Sequence, residues 1–310
     1  MVQTLRDMWR GHSAREENGR PRWRTTVDLP PVGERLQSPH DPQAHDSRKG
    51  HLAWSGDKVH VTETCDGDTA HLVTPVMTCP AMQPDMSRTA AIHEGLAAKG
   101  LLPAEPFVDA ADGDAALLVG SRRDHGVSLE GPVRGVSTWQ TRAGQGYDLP
   151  PFAINWQREQ VPCPQGKTSV SWRVGCAEDG SPRIQAPFSR SDCRACAART
   201  LCAPGKQARR SVYVHRREEH EALTAARARM HDPAGKQRSR VRAGIEGTLS
   251  QGVRAFGMRR SRSMRLAKTG LQQVWMGAAL NVSRVVRWLE GRPRARTRVT
   301  RCAALKLVAA

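Results

Sequence analysis

The residues with the clearest chemical potential lie between Ser239 and Ala267, where one carboxylate, Glu246, stands among arginines. A lone acid beside a basic surface can hold a metal ion that meets a phosphate backbone. Asp109 is the second candidate, because it ends a short apolar segment. Acids at the carboxyl ends of strands in α/β sheets face the place where active sites usually lie. The alternatives are a first-turn helix acid for Glu246 and a helix cap for Asp109.

Four cysteines have the spacing of a metal site. Two residues separate Cys193 from Cys196, so both sulfurs can reach one ion. Cys163 and Cys202 can supply the remaining ligands of a tetrahedral site. We therefore predict that these cysteines bind Zn²⁺, with reduced and unliganded thiols as the alternative.

Positive charge is concentrated in the last third of the chain. Residues 203–310 contain 25 Lys and Arg against 6 Asp and Glu, and the whole chain carries a formal net charge of +18. Such a density predicts a polyanionic partner, with nucleic acid favoured over an anionic membrane surface. A solvated helical face is the alternative. The cations expected to contact phosphates are Arg242, Arg254, Arg259, Arg260, Arg262, Arg265 and Lys268.

Composition argues against a membrane protein. The chain has no run of ~18 apolar residues, and its N-terminus lacks an apolar signal core. We therefore expect no membrane span and a cytoplasmic location, where thiols stay reduced.

The elements that must position these residues follow from hydrophobic periodicity. Alternating residues predict strands over 57–65 and 71–77, joined by a turn at 66–68, with Pro75 indicating an edge or a bulge. Further along, we predict a helix that stops at Gly100, strands near 104–110 and 126–133, and a helix over about 112–124. This order predicts a mixed α/β sheet.

Later segments predict a change of architecture. Residues 137–215 are rich in Gly, Pro, Trp and Cys, which indicates a β-rich insertion. A helix is predicted over 216–230, and an apolar stripe including Leu249 and Val253 predicts another that packs on a core. A last helix is predicted over about 269–290. One of its stripes consists of Leu271, Val274, Trp275, Ala278, Val282, Val285 and Leu289.

Several segments, taken together and in order, resemble DDE-type transposases of bacterial insertion sequences. The segment around Glu246 is similar to the third catalytic segment of that family, and Asn281 with Arg284 resembles the Asn-x-x-Arg helix that follows it. The segment ending at Asp109 resembles the strand that delivers the second catalytic Asp. The other matching segments are 54–66, 163–167 and 192–202, and the resemblance covers roughly residues 20–300.

The resemblance implies an α+β chain with a partial ribonuclease-H-like mixed sheet, flanking helices and a cysteine-bearing insertion. It implies cutting and joining of DNA at transposon ends, with Asp109 and Glu246 as catalytic ligands of Mg²⁺. The implied domains are a poorly ordered segment (1–53), two parts of the catalytic domain (54–136 and 216–290), an insertion (137–215) and a basic tail (291–310).

The departures from the family predict loss of activity. No segment matches the strand with the first catalytic Asp, so the chain is expected to lack it together with an N-terminal DNA-binding region. Ser239 and Val253 stand where the family signature has Tyr and Lys. With two of three acids, Mg²⁺ binding should be weak. We therefore expect a truncated transposase that binds DNA in the nucleoid but is inactive alone. The alternative is a non-catalytic DNA-binding regulator that interferes with a full-length transposase.

Overall fold

The computed structural model describes residues 2–67, 69–109, 114–133, 138–177, 180–206 and 209–292. The chain divides into two compact units. Unit 1 comprises Met1–Leu102 and Arg240–Ala310, and unit 2 comprises Pro103–Ser239. Helices and small antiparallel sheets occur in both units, which confirms the predicted α+β class. The basic tail expected at 291–310 lies almost entirely outside the described residues.

The N-terminal part of unit 1 contains short elements where the sequence predicted poor order. These are α1 (Val2–His12), β1 (Ser13–Arg15), β2 (Pro21–Trp23) and a 3-10 turn, Val32–Glu34. Strands β1 and β2 pair antiparallel. Among residues 2–53, Ser13 is the one buried residue, so these elements bring almost no core of their own.

An antiparallel sheet of β3 (His45–Lys49), β4 (Leu52–Glu63) and β5 (Val73–Pro80) follows, in the order β3-β4-β5. The predicted hairpin is confirmed. Strand β5 lies at an edge, and a bulge falls between Val61 and Glu63, which explains how the sheet accommodates Pro75. A 3-10 turn, Asp85–Arg88, leads into α2 (Thr89–Ala97).

The prediction of two strands at the start of unit 2 is wrong. Phe107 and Glu130 form an isolated parallel bridge, in which the amide of Val108 donates to the Glu130 carbonyl at 2.8 Å. Pro106 immediately precedes Phe107, and Pro103 lies four residues before Phe107. Since proline has no amide hydrogen to donate to a ladder, the pairing cannot extend into a strand.

The remaining elements of unit 2 are helical at both ends with a sheet between them. The structure has α3 (Ala115–His125), α4 (Trp139–Ala143), β6 (Arg173–Cys176), β7 (Pro182–Pro187), α5 (Arg190–Ala195), α6 (Arg199–Cys202), β8 (Ser211–Val214), α7 (Arg217–His231) and α8 (Pro233–Ser239). Strands β6, β7 and β8 pair antiparallel in that order. The sheet lies within residues 137–215, the range of the predicted β-rich insertion, and its core includes Phe152, Val161, Ile184 and Val212.

Unit 1 resumes with a 3-10 turn, Arg240–Ala243, then α9 (Gly244–Phe256) and α10 (Leu266–Leu289). The apolar stripe of α9 packs as predicted. Leu249, Val253 and Phe256 contact a buried cluster formed by Val73, Met258 and Leu280.

Helix α10 packs through the face opposite to its apolar stripe. Leu271, Trp275 and Val282 are 59%, 68% and 64% exposed, whereas Gln273, Gly277 and Leu280 are buried. A Cβ atom added at Gly277 would lie 2.8 Å from Cγ2 of Val76 on β5. Because a side chain does not fit there, the glycine allows the helix to approach the strand closely.

Candidate functional site

The two predicted catalytic acids lie in different units. Asp109 follows the isolated bridge in unit 2, and Glu246 lies in the first turn of α9 in unit 1. Both residues are exposed. A common metal site for these two carboxylates stays a prediction.

A buried ion pair, which the sequence analysis missed, joins β4 to α10. Nη1 of Arg284 lies 2.8 Å from Oε2 of Glu63, and their side chains are 16% and 7% exposed. Arg284 also donates to Oγ1 of Thr248 at 2.6 Å and to the carbonyl of His71 at 2.7 Å. Thr248 in turn donates to Glu63. The sequence contains no local signal for this pairing, because β4 has other charged residues, Asp57 and Lys58, and Arg284 is 221 positions away from Glu63.

This network fixes the orientation of α9. Thr248 bonds Glu63, and a Cβ atom at Gly244 would lie 3.6 Å from Oε1 of the same carboxylate. Residues four apart share a helix face, whereas a residue two positions from each lies on the opposite side. Glu246 therefore projects away from Glu63, which agrees with its exposure.

The predicted cations form an exposed basic surface in unit 1. Arg254, Arg259, Arg260, Arg262, Arg265 and Lys268 are all exposed, and Arg242 is half-buried. None of the six exposed side chains forms an ion pair with an acid in the described part of the chain. The sequence has no Asp or Glu between residues 247 and 289. No acid from residues 247–289 therefore offsets the charge of this surface.

The loop that carries most of these cations is tied to the first turns of α10. Gln272 donates to the carbonyl of Arg260 at 2.8 Å and accepts from the amide of Arg262 at 2.8 Å. Buried Gln273 donates to the carbonyl of Met258 at 3.1 Å, and Thr269 bonds Ser261. These polar residues hold the cationic loop in one conformation, a role that no sequence motif predicts.

At the start of α10, residues from the N-terminal segment complete the loop. A carboxylate oxygen of Asp41 accepts from the amide of Arg265 at 2.7 Å, and Gln43 accepts from the amide of Leu266 at 2.9 Å. These amides are among those that a helix N-terminus leaves without an intrahelical partner. The N-terminal segment thus caps α10 next to the basic surface.

The four cysteines predicted to bind zinc line one pocket in unit 2. Cys163 begins a tight turn, in which its amide donates to the Lys167 carbonyl at 2.7 Å. Cys193 lies in α5, Cys196 follows that helix, and Cys202 ends α6. All four side chains line the same cavity, together with Arg210.

The electrostatics of this pocket affect Cys202 most. Burial raises the pKa of its thiol, Arg210 opposes the shift, and Cys193, Cys163 and Cys196 add to it. The thiols are free. Among the described residues, no group of three or more His, Cys, Asp or Glu side chains is arranged to hold a metal ion. The zinc and magnesium sites therefore stay predictions.

No helix in the described part of the chain is long and apolar enough to cross a membrane.

One family of known proteins is similar to part of the chain. No curated protein and no solved structure matches the chain. Residues 162–286 match the family described as the transposase DDE domain. This stretch includes the four cysteines, Glu246 and the basic surface, whereas Asp109 and Glu63 lie before it. Residues 162–286 are thus similar to the transposase DDE domain, which supports the resemblance of this part of the chain to the C-terminal part of a DDE-type transposase.

Proposed function

We propose that this chain binds DNA through the basic surface of unit 1 and does not cut or join DNA on its own. The transposase DDE domain gives it a transposition-related function. The observation that carries the DNA-binding proposal is the set of exposed cations on α9, α10 and the loop between them, which lack acidic partners among the described residues. A protein bound to DNA in this way would be associated with the nucleoid.

The chemistry of the surface favours phosphate contacts over base reading. Arg259, Arg260 and Arg262 lie on a loop that is held to α10 by side-chain bonds to its backbone, so their guanidinium groups remain available. Guanidinium groups bind phosphate oxygens through paired hydrogen bonds. Contacts of this kind are independent of base sequence and release counterions from DNA. We therefore infer affinity for duplex DNA with little sequence preference from this surface.

The ion pair of Glu63 supports the proposed lack of activity. DDE transposase domains use divalent metal ions, typically Mg²⁺. Asp109 and Glu246 are the residues of this chain that the resemblance assigns to the ion, and carboxylate oxygens are its preferred protein ligands. When bound, Mg²⁺ would activate water or a 3′-hydroxyl and stabilise the leaving oxygen. Glu63, the buried acid next to α9, is neutralised by Arg284, so it is not available as a third ligand.

DNA binding can be tested by fluorescence anisotropy with a random-sequence duplex over a range of salt concentrations. The Arg259→Ala, Arg260→Ala, Arg262→Ala triple variant should bind less tightly, and its log–log salt slope should fall by up to about 3, since each phosphate contact contributes about 0.9. A matched triple variant removes the same charge from the exposed Arg6, Arg15 and Arg20. An equal effect of both variants would contradict the proposed surface.

Catalytic inactivity needs a separate assay. The purified chain should be incubated with Mg²⁺ and the DNA fragments that flank its gene, and strand cleavage measured. We expect no cleavage above background. Robust cleavage that is abolished by Asp109→Ala would overturn the inactivity proposal while leaving DNA binding intact.

The same observations favour a second role as a regulator. A chain that binds DNA through its basic surface but lacks cleavage would compete with a full-length transposase for DNA, including the transposon ends, and so interfere with it. Adding the chain to a cleavage reaction of such a transposase should lower its rate. The triple variant of Arg259, Arg260 and Arg262 should lower it less.

We also propose that Cys163, Cys193, Cys196 and Cys202 form a structural zinc site in unit 2. Four thiolates match the donor set that tetrahedral zinc prefers, and the four side chains line one pocket. Binding would require the sulfurs to turn towards a common centre. In that role the metal would connect the turn at Cys163 with α5 and α6, where the helices are short.

A further inference from the structure

The outward face of α10 is an apolar surface that α9 and the β3-β4-β5 sheet leave exposed. Leu271, Trp275, Val282 and Leu289 are 59%, 68%, 64% and 72% exposed, and Ala278 is exposed between them. The opposite face of the helix is already committed to β5 through Gly277 and Leu280. Exposed apolar surface of this extent in a structured helix indicates an interaction site.

The spacing of the outward residues is that of a coiled-coil seam. The distances along the chain from Leu271 to Trp275, Ala278, Val282, Val285 and Leu289 alternate between four and three residues. Such a repeat places one stripe of side chains against a partner helix. The stripe is about 27 Å long, from the rise per residue of an α-helix. The spacing therefore indicates that the occupant of this face is another helix.

The positions beside the seam carry no charge, although the chain is strongly basic. They are occupied by Gln272, Val274, Ala279, Asn281, Val286 and Trp288. Flanking charges normally select or exclude partners in helix pairs, and like charges would repel a second copy. An uncharged border therefore permits self-association, which the net charge of +18 would otherwise oppose.

We propose that α10 pairs antiparallel with α10 of a second copy of this chain, about a twofold axis near Leu280. The alternation of four and three residues is the same when the helix is read in either direction. The stripe therefore fits the stripe of an antiparallel second copy, as a twofold interface requires. The opposed pairs are Leu271 with Leu289, Trp275 with Val285, and Ala278 with Val282. A parallel pair would instead stack Trp275 on itself and Ala278 on itself, leaving one layer overfilled and another with a gap. The proposal is independent of the DNA-binding function.

The first experiment measures oligomeric state with the whole chain. The protein is treated with nuclease, held at high salt to remove DNA, and analysed by sedimentation velocity. We expect a dimer for the unmodified chain and a monomer for Val282→Glu, with unchanged far-ultraviolet circular dichroism. Val174→Glu is the matched control, because Val174 is 66% exposed in unit 2, and it should remain dimeric. An unmodified chain that is monomeric at concentrations on the order of 100 µM overturns the proposal.

The second experiment tests the direction of pairing. Ala278→Glu and Val282→Lys should each be monomeric alone and form a heterodimer when mixed, because an antiparallel pair places the introduced carboxylate of one copy opposite the introduced ammonium group of the other. In a parallel pair these side chains do not meet, so the mixture would stay monomeric. Failure of the mixture to associate, with both variants folded, overturns the antiparallel arrangement. A dimer that survives both substitutions overturns the assignment to α10.

Discussion

Arg284 and Glu63, separated by 221 positions in sequence, form an ion pair of 2.8 Å that links the last helix of unit 1 to its central strand. Both side chains are largely buried. The guanidinium also bonds Thr248 on α9 and the carbonyl of His71. One arginine therefore holds three parts of unit 1 together.

Removing one member of this pair should destabilise unit 1 strongly. We expect Arg284→Ala to lower the free energy of unfolding by about 3–5 kcal/mol, because the buried carboxylate of Glu63 is left without a counter-charge. Urea denaturation followed by circular dichroism measures the change. Arg287→Ala, an exposed arginine on the same helix, is the control and should change stability by less than about 0.5 kcal/mol. The proposed role of the pair fails if the two variants are equally stable.

Asn281 should be needed to hold α10 on the edge of the sheet. Its Oδ1 accepts from the amide of Val73 and its Nδ2 donates to the Val73 carbonyl, both at 2.7 Å. Asn281→Ala leaves both backbone groups of Val73 without these partners, at a cost of about 1–3 kcal/mol. Hydrogen exchange should show faster exchange of the Val73 amide. Ser283→Ala on the same helix should leave that rate unchanged, and equal rates in all three proteins would contradict this role.

Asp57 should make stability depend on pH. Burial raises the pKa of its carboxyl, Asp41 adds to the shift, and the hydroxyl of Thr269 opposes it. Because the folded state binds this proton more tightly than the unfolded state, ionised Asp57 opposes folding at neutral pH, and this effect disappears as the pH falls below both pKa values. Asp57→Asn should therefore raise Tm at about pH 7, and the gain should shrink towards about pH 4. Asp46→Asn, which changes an exposed acid on β3, should show no such trend.

The proposed zinc site predicts metal content and metal-dependent stability. Purified wild-type chain should contain about one zinc ion, and Cys193→Ser should lose most of it, since a tetrahedral site needs four ligands. Chelation should lower the Tm of wild type but not of the variant. Cys176→Ser, which changes an exposed cysteine outside the pocket, should keep its zinc. The proposal is wrong if the wild type contains no zinc and reconstitution with Co²⁺ gives no thiolate absorption band.

Local patterns predicted the elements of unit 1 well. Alternation and a turn located the hairpin of β4 and β5, and the apolar stripe of α9 identified the side that packs on Val73 and Leu280. A stripe shows which side chains share a face but not which face the rest of the molecule covers. Helix α10 packs through Gly277 and Gln273, residues whose sequence signal for burial is weak.

The candidate site was predictable only in part. The exposure of Arg259, Arg260 and Arg262 followed from their charge. The pairing of Glu63 with Arg284 depends on how distant segments pack. Hydrophobic periodicity gives no information about that packing. The apolar content of residues 104–110 favours a strand, but Pro106 within this segment limits the pairing to an isolated bridge at Phe107.

Arg265, the residue that precedes α10, has a strained backbone, and this has a consequence for protein engineering. Arg265 adopts φ 76°, a backbone conformation that costs a residue with a side chain on the order of 1–3 kcal/mol and costs glycine little. The bond from its amide to Asp41 helps to retain it. Arg265→Gly should thus remove one positive charge from the basic surface and relieve the backbone strain at this position. The chain therefore contains a position where thermostability and affinity for a polyanion can be varied against each other by one codon.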